Sequence, residues 1–392
     1  MEKSYFLDAV SHLPLLLWDT AFPTEELAEN RSFRNIGELL VKRSPTNREA
    51  LRLCGCDPAI LNGEASDYEC FAALCMATPM LLGHRAAMAT ATILKAVFGL
   101  ETPLSPYQIE ELWTVLNEII EERALCPSDV AEALNIESLC YRWDPLSPLP
   151  DPAFGEVDLY PIFDLSDPLA TLAQISSSDK GLDDAIRVLI NRLTAFLAAG
   201  GTSVRIALPK SYRFSRNSRK KEVDDLLHRF TAGERLSTEE ENQLLTSLLV
   251  ALSYRITEND LVLLLATEAE ESELMALYDY FALNHAFPET LLITAHPWEY
   301  SDLFARHTHR TPKGLPSLLP IAEDFTALAT SFPIGAVILP CGKIDDVVSL
   351  ADGYRLRSKL AQTLGSYEAD PDILTSLMED VVYGNIKNRF GI

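Results

Sequence analysis

Three scarcities limit what this chain of 392 residues can be. Its seven cysteines are scattered without a CxxC pair, which argues against a disulfide scaffold and a zinc ribbon. Its longest uncharged apolar stretch, residues 70–83, is shorter than the roughly 18–20 residues that span a bilayer. Basic residues are few: 33 Lys and Arg stand against 57 Asp and Glu, so the net charge is −24. Such a surface repels nucleic acid and anionic membranes, and we expect neither as a partner.

Several catalytic motifs are also missing from the sequence. It has no Walker A loop, no GxGxxG after a strand, no GxSxG elbow and no HExxH. Nucleotide chemistry and serine hydrolysis are therefore disfavoured, and we predict no cofactor. Glu2 and Asp8 stand where a signal peptide carries positive charge, so we expect a cytoplasmic protein.

Short apolar runs alternate with longer amphipathic segments, a pattern typical of parallel strands covered by helices. Eight runs of this kind occur, at residues 13–18, 136–143, 157–163, 202–208, 261–267, 290–295, 315–322 and 335–339. Eight strand–helix units predict an α/β protein with a (β/α)8 TIM barrel.

The gap between the first two runs is much longer than the others and has a helical pattern without a strand. It predicts a helical insertion after strand one. The expected division is an N-terminal segment with strand one at 1–31, an inserted helical subdomain at 32–128, and the remainder of the barrel with a C-terminal helix at 129–392.

In this fold the reacting groups follow the C-terminal ends of the strands. The predicted strand ends give these candidates for a pocket at the barrel mouth: Trp18, Asp19, Arg142, Asp144, Asp164, Glu268, His296 and Lys343. Carboxylates, one His and one Lys can supply acid–base pairs. Together with Asp324, the four carboxylates would make the mouth acidic. The alternative is that several of them cap the helices that follow the strands.

Two further patterns stand out. The only HxH pair, His307 and His309, lies in a polar, Arg-flanked stretch that we interpret as an exposed loop, and we predict no metal ligand. Residues 210–221 are basic and follow predicted strand four. They are either a solvated loop balanced by the acidic surface or an anion-binding lid over the mouth, for which the candidates are Lys210, Arg213, Arg216 and Arg219.

Motifs along the whole chain are similar to those of one family. They are TEELAENRSF at 24–33, NIGEL at 35–39, GEASDYECF at 63–71, KAVFGL at 95–100, NIESLC at 135–140 and MEDVVYGNIK at 378–387. In their order they resemble the uronate (glucuronate) isomerase family of the amidohydrolase superfamily. This resemblance implies a TIM barrel with a helical insertion, aldose–ketose interconversion of hexuronates such as glucuronate and galacturonate, a divalent metal at the mouth, and homo-oligomers.

The sequence departs from the family pattern where the resemblance would place its functional residues. The strand-one His-Cys-His motif falls on Asp19-Thr20-Ala21, the substrate-binding Arg after strand three falls near Asp164, and the strand-five His falls near Ala266. These departures predict a non-catalytic homologue that has lost metal and activity and binds a small molecule or a protein. Two alternatives stay open: an enzyme with a rebuilt, metal-independent site at the mouth, and an active hexuronate isomerase.

Overall fold

The computed structural model describes residues 12–150, 152–176, 181–215, 219–321, 328, 332–333, 335, 337–341 and 343–392. Within these ranges the chain is an α/β protein with seven parallel strands whose lateral order follows the chain. The strands are β1 (Leu15–Thr20), β2 (Ile136–Trp143), β3 (Asp158–Leu165), β4 (Ser203–Leu208), β5 (Val262–Thr267), β6 (Glu289–Ile293) and β7 (Leu318–Ile321).

Helices precede β2 and cover the later strands. The α-helices are α1 (Thr24–Glu29), α2 (Pro45–Leu53), α3 (Pro58–Leu61), α4 (Asp67–Ala77), α5 (Arg85–Phe98), α6 (Ile109–Arg123), α7 (Pro127–Ala133), α8 (Pro168–Ile175), α9 (Leu182–Ala198), α10 (Lys220–Thr231), α11 (Thr238–Glu258), α12 (Glu271–Leu283), α13 (Ser301–His307), α14 (Ala351–Leu364), α15 (Pro371–Glu379) and α16 (Asn385–Phe390). Short 3-10 turns occupy Thr78–Leu81 and Pro297–Tyr300, and π-helical turns occupy Glu38–Lys42 and Asp380–Gly384.

The chain divides into two compact units. The first comprises Met1–Tyr141, Pro150–Leu159 and Leu339–Tyr383, and the second comprises Arg142–Leu149, Tyr160–Ile338 and Gly384–Ile392. Residues 32–128, all of them described, contain helices and no strand. The predicted division at residues 31 and 128 stays a prediction.

In the first unit, the family-like motifs form a packed cluster. The Asn35 side chain donates to Asp67 Oδ2 at 2.6 Å, and the carboxylate of Glu38 pairs with Arg34 at 3.1 Å. A Cβ on Gly37 would lie 2.1 Å from the backbone oxygen of Asp67, so only glycine fits there. The matching residues therefore hold the scaffold of this unit together.

The same cluster shifts the pKa of two acids. Burial would raise the pKa of Glu38, but the hydrogen bonds and charge of Arg34 outweigh it and lower that pKa. Asp67 has a lowered pKa for the same reason, because hydrogen bonds from Lys42 and Asn35 outweigh burial. Both carboxylates are therefore held in the charged form.

In the second unit, strands β3 to β7 pair in parallel, each with the next. Helix α9 packs against this sheet: the Phe196 ring lies 5.5 Å from Phe163 and 6.2 Å from Trp143, between ring centroids. A Cβ on Gly201 would lie 2.2 Å from Phe196, so the chain returns tightly from α9 into β4. Gly200, with φ of +78°, ends the helix as the sequence predicts.

Seven of the eight predicted strands are present, most within two residues of the predicted bounds. The seventh is shorter than predicted and begins after Pro316. The eighth prediction, 335–339, includes a residue outside the described part of the chain, and its described residues form no strand. The α/β class with parallel strands is confirmed, and the closed eight-stranded barrel stays a prediction.

No single helix in the described part of the chain is long and apolar enough to cross a membrane. One pair, Asp67–Leu81 and Arg85–Phe98, passes a test of length and composition together, but it is bent by 118°.

Candidate active site at the strand ends

Polar residues of the second unit meet on one face of its sheet. Trp143 and Phe163 contact helix α9, and successive strand residues point to opposite faces. Their chain neighbours Arg142 and Asp164 therefore lie on the face away from α9. Arg205 is the register partner of Asp164 on β4, so it shares that face.

Arg205, Ser166 and Asp164 form a hydrogen-bonded group at the end of β3. Arg205 Nη1 donates to Ser166 Oγ, which in turn donates to Asp164 Oδ1, and the Ser166 amide donates to the same oxygen at 3.0 Å. Arg205 Nη1 lies 4.0 Å from Asp164 Oδ1, and the two side chains are 10% and 21% exposed. The guanidinium thus extends from the middle of β4 to the strand-end edge, where Ser166 follows β3.

Sequence reasoning missed Arg205 because β4 reads as a continuous apolar strand. A single polar residue in such a strand is a usable signal, since buried charges are rare without a partner.

Glu268 joins the ends of β5 and β6. Its Oε1 accepts from the Ala295 amide at 2.7 Å, and the Thr294 hydroxyl donates to the same carboxylate at 3.2 Å. The structure therefore fixes this half-buried carboxylate at the strand-end edge. His296 follows on the same loop, but its side chain is exposed and its ring packs on Trp298 at 5.4 Å.

Asp144 follows the alternative that the sequence left open for the carboxylates. Its side chain is exposed, Oδ1 accepts from the Leu146 amide at 2.9 Å, and Oδ2 accepts from the Ser147 hydroxyl at 3.0 Å. It therefore shapes its own loop. Asp164 lies beside Arg205, and Asp324 lies outside the described residues, so the expectation of an acidic mouth stays a prediction.

The remaining candidates belong to the first unit. Trp18 is 1% exposed, its amide donates to Cys341 Sγ at 3.0 Å, and its indole N–H donates to the Leu339 oxygen at 2.8 Å. It is a core residue whose N–H groups are both engaged. Asp19 is also buried, and Lys343 is exposed and pairs with Asp345 at 3.1 Å.

The basic loop after β4 is balanced by acidic neighbours. Arg213 pairs with Glu270 at 2.7 Å, and Arg219 lies 4.0 Å from Glu222. Lys210 is exposed, and Arg216 lies outside the described residues. These contacts favour the solvated loop over the anion-binding lid, which stays a prediction.

The described side chains do not fit the divalent metal that the resemblance implies. In the described part of the chain, no group of three or more His, Cys, Asp or Glu residues is placed to hold a metal ion. Burial, with smaller effects of Cys341 and Asp19, raises the pKa of the Cys140 thiol well above its ordinary value. A protonated thiol is a poor metal ligand.

The interpretation of the HxH pair as an exposed loop is wrong for its first member. His307 is buried at the end of α13, where its Nε2 lies 3.1 Å from Asp279 Oδ1 and its ring stacks near Phe287. Burial lowers the pKa of His307, against the charge of Asp279. Aromatic packing from distant residues buries this position, which local polarity does not indicate.

Parallel strands with polar side chains at their carboxyl ends define an α/β protein whose candidate site lies at the strand-end edge. A family model described as Glucuronate isomerase matches residues 1–153. The uronate isomerase of Actinobacillus succinogenes is 24% identical over 272 residues, covering 64% of this chain and 58% of that protein. The uronate isomerase of Salmonella arizonae is 27% identical over 263 residues, covering 61% of this chain and 55% of that protein. The chain thus spans less than two thirds of these relatives.

Solved structures show the same fold. The uronate isomerase from Thermotoga maritima aligns with a TM-score of 0.82 at 15% identity, covering 99% of this chain and 97% of that one. The glucuronate isomerase from Caulobacter crescentus aligns with a TM-score of 0.75 at 14% identity, covering 100% and 94%. The resemblance predicted from the motifs is confirmed, and the chain is related to the uronate isomerase family.

These findings overturn the prediction of a non-catalytic homologue. The family model and the sequence relatives are isomerases, which favours the isomerase alternative.

Proposed function

We propose that the chain is an aldose–ketose isomerase that acts on hexuronates, with its site at the carboxyl ends of the strands. The relation to uronate isomerases in both sequence and fold carries the proposal. The side chains of the second unit support it, because Arg205 supplies positive charge at this edge and Glu268 supplies a carboxylate.

The proposed reaction moves protons and needs no net oxidant. A base takes the proton from C2 of the aldose while the C1 oxygen gains a proton, which gives an enediol. Return of a proton to C1 and loss of the O2 proton then give the ketose. A positioned carboxylate typically contributes 10²–10⁴-fold to such a transfer. We assign this role to Glu268, which Thr294 and the Ala295 amide hold in one orientation.

The finer features of the chain are part of the same proposal. We propose that the strands close into a (β/α)8 barrel with a helical insertion at 32–128, as the resemblance implies. A small-molecule ligand at the mouth, a cytoplasmic location and a homo-oligomeric state complete it.

The test is conversion of D-glucuronate and D-galacturonate by the purified full chain, followed as loss of aldose and gain of ketose. Glu268→Gln should lower kcat by about 100-fold or more. Glu270→Gln is the matched control, because Glu270 is an exposed neighbour that pairs with Arg213, and it should leave kcat within about twofold of wild type. Absence of conversion by the wild-type chain would refute the function, and an active Glu268→Gln variant would refute the assigned role.

A further inference from the structure

A cavity of about 290 Å³ lies in the second unit, at the edge of the sheet where the strands begin. Among its lining residues, Leu261 directly precedes β5, Glu289 begins β6 and Ser317 directly precedes β7. Glu268 and Ala295 lie at the opposite edge, where the strands end. The two edges are separated by the length of β6, which is five residues or about 15 Å. The cavity is therefore distinct from the candidate active site.

Three buried polar atoms of the lining residues have no hydrogen-bond partner within the described part of the chain. They are the hydroxyl oxygens of Thr257 and Thr311 and the Oε1 oxygen of Glu289. Buried polar groups are nearly always paired, because an unpaired group loses its hydrogen bonds to water without replacing them. Three such atoms around one cavity indicate a site for a polar molecule.

Charges of both signs line the cavity, and they come from different parts of the chain. Asp260, two residues before β5, and Glu289 supply carboxylates, whereas Arg310 and Lys313 supply cations from the loop between α13 and β7. Burial raises the pKa of Glu289, against the charges of Arg389 and Lys313, so these groups lie within electrostatic range of one another. Lys313 Nζ donates to the Arg389 oxygen at 2.8 Å, and an ammonium group has two further donors to offer.

An apolar part of the wall limits what else can bind. It is formed by Leu261, Phe287 and Pro312. The Phe287 ring packs on His309, with 5.2 Å between ring centroids, and His309 Nδ1 lies 3.0 Å from Ser317 Oγ. Ligand pockets commonly measure about 300–1,000 Å³, so this cavity suits a small molecule that combines charged groups with a short apolar part.

We propose that this cavity binds an aliphatic α-amino acid. Its ammonium group pairs with Asp260 and Glu289. Its carboxylate pairs with Arg310 and Lys313, and its side chain packs on the apolar wall. A simple anion or cation would match only one of the two pairs of charges, and a neutral sugar would match neither, whereas a zwitterion matches both. This inference does not depend on the proposed function.

The first experiment is titration calorimetry of the purified chain with L-alanine, L-valine, L-leucine, L-isoleucine and L-methionine. At least one of them should bind with a Kd of about 1 mM or below. Analogues of the best binder that lack the amino group or the carboxyl group should bind about tenfold more weakly or worse, because each loses one charged hydrogen-bonding end. For L-leucine these analogues are isocaproic acid and isoamylamine.

The second experiment uses the unpaired hydroxyl of Thr257. Thr257→Val removes this hydroxyl and nearly keeps the shape of the side chain, so it should weaken binding of the amino acid about fivefold. The melting temperature of the free variant should equal or exceed that of wild type, because a buried group without a partner is lost. Thr246→Val is the matched control on the same helix. The Thr246 hydroxyl bonds to the Tyr212 hydroxyl at 3.0 Å, so this variant should melt at a lower temperature and keep the wild-type affinity.

Four results would overturn the inference. The first is that none of the five amino acids binds, and the second is that an analogue with a single charge binds as tightly as the amino acid. The third is wild-type affinity in Thr257→Val, or in Thr311→Val if the first variant does not fold. The fourth is loss of amino-acid binding in Glu268→Gln, which would place the ligand at the strand-end edge.

Discussion

The buried pair of Arg389 and Glu289, at the start of β6, gives a quantitative test of the packing. Arg389 on α16 is fully buried, and its Nη1 lies 2.9 Å from Glu289 Oε1. Its Nη2 donates to the Pro316 oxygen at 2.6 Å, while Nε and Nη1 make no hydrogen bond to the described residues. The two charges are therefore close, but hydrogen bonds satisfy them poorly.

Burial lowers the pKa of Arg389 from 12.5 to about 10, against the opposing charge of Glu289. At about 1.36 kcal/mol per pH unit, this drop means that the charged arginine costs folding about 3 kcal/mol near neutral pH. Because the folded-state pKa is lowered for a cation, the cost is fully present below pH 10 and disappears only as the pH rises towards 12.5. The pair is thus predicted to destabilise the fold relative to an apolar pair.

Glu289→Gln removes the compensating charge and should lower the free energy of unfolding by about 3–5 kcal/mol. The double variant Glu289→Leu/Arg389→Met should recover this loss and reach or exceed wild type by up to about 4 kcal/mol. The measurement is urea unfolding at pH 7 followed by circular dichroism. Glu258→Gln, in the exposed pair with Arg255, is the control and should cost less than about 1 kcal/mol.

Two results would refute this reasoning. One is a Glu289→Gln variant within about 1 kcal/mol of wild type, which would mean that the arginine is not desolvated. The other is a double variant no more stable than Glu289→Gln, which would mean that packing and the Pro316 contact outweigh the charge.

Three further predictions concern the first unit. Gly37→Ala should lower the free energy of unfolding by about 3 kcal/mol, because its Cβ would overlap the Asp67 backbone oxygen, and wild-type stability in urea would contradict this. The folded protein lowers the pKa of Glu38 and of Asp67 from their ordinary values of 4.5 and 3.8, so both carboxylates stabilise the fold above these pH values. This stabilisation is lost as the pH falls below them. Asp67→Asn should therefore flatten the loss of stability between about pH 5 and 3. The buried Cys140 thiol should react with a thiol reagent only when the chain unfolds, whereas the partly exposed Cys54 thiol should react in the folded protein. Mass spectrometry of the labelled protein identifies which of the two cysteines has reacted.

The fold was largely predictable because its strands are apolar runs bounded by polar residues and glycines. Ile136–Trp143 was predicted to the residue, and the helix stop at Gly200 follows from its left-handed backbone. The eighth strand, expected at 335–339, stays a prediction because that segment includes a residue outside the described part of the chain. Within it, Leu339 donates its amide to the Val381 oxygen.

The site was less predictable because it depends on which strands are neighbours. The position of Arg205 next to Asp164 follows from the β3–β4 register, which no local pattern contains. Asp144 and Glu268 look alike as acids after strands, yet one shapes its own loop and the other joins two strand ends. The expectation of lost activity came from comparing single positions, and the match to the family model and to the sequence relatives contradicts it.

The most direct test of the central claim is proton NMR of D-glucuronate and D-galacturonate incubated with the purified chain of 392 residues. The account predicts that ketose signals grow at the expense of the aldose until both reach equilibrium, and that Glu268→Gln slows this growth about 100-fold or more. Unchanged aldose spectra for both sugars, at protein concentrations equal to those of the sugars, would contradict it.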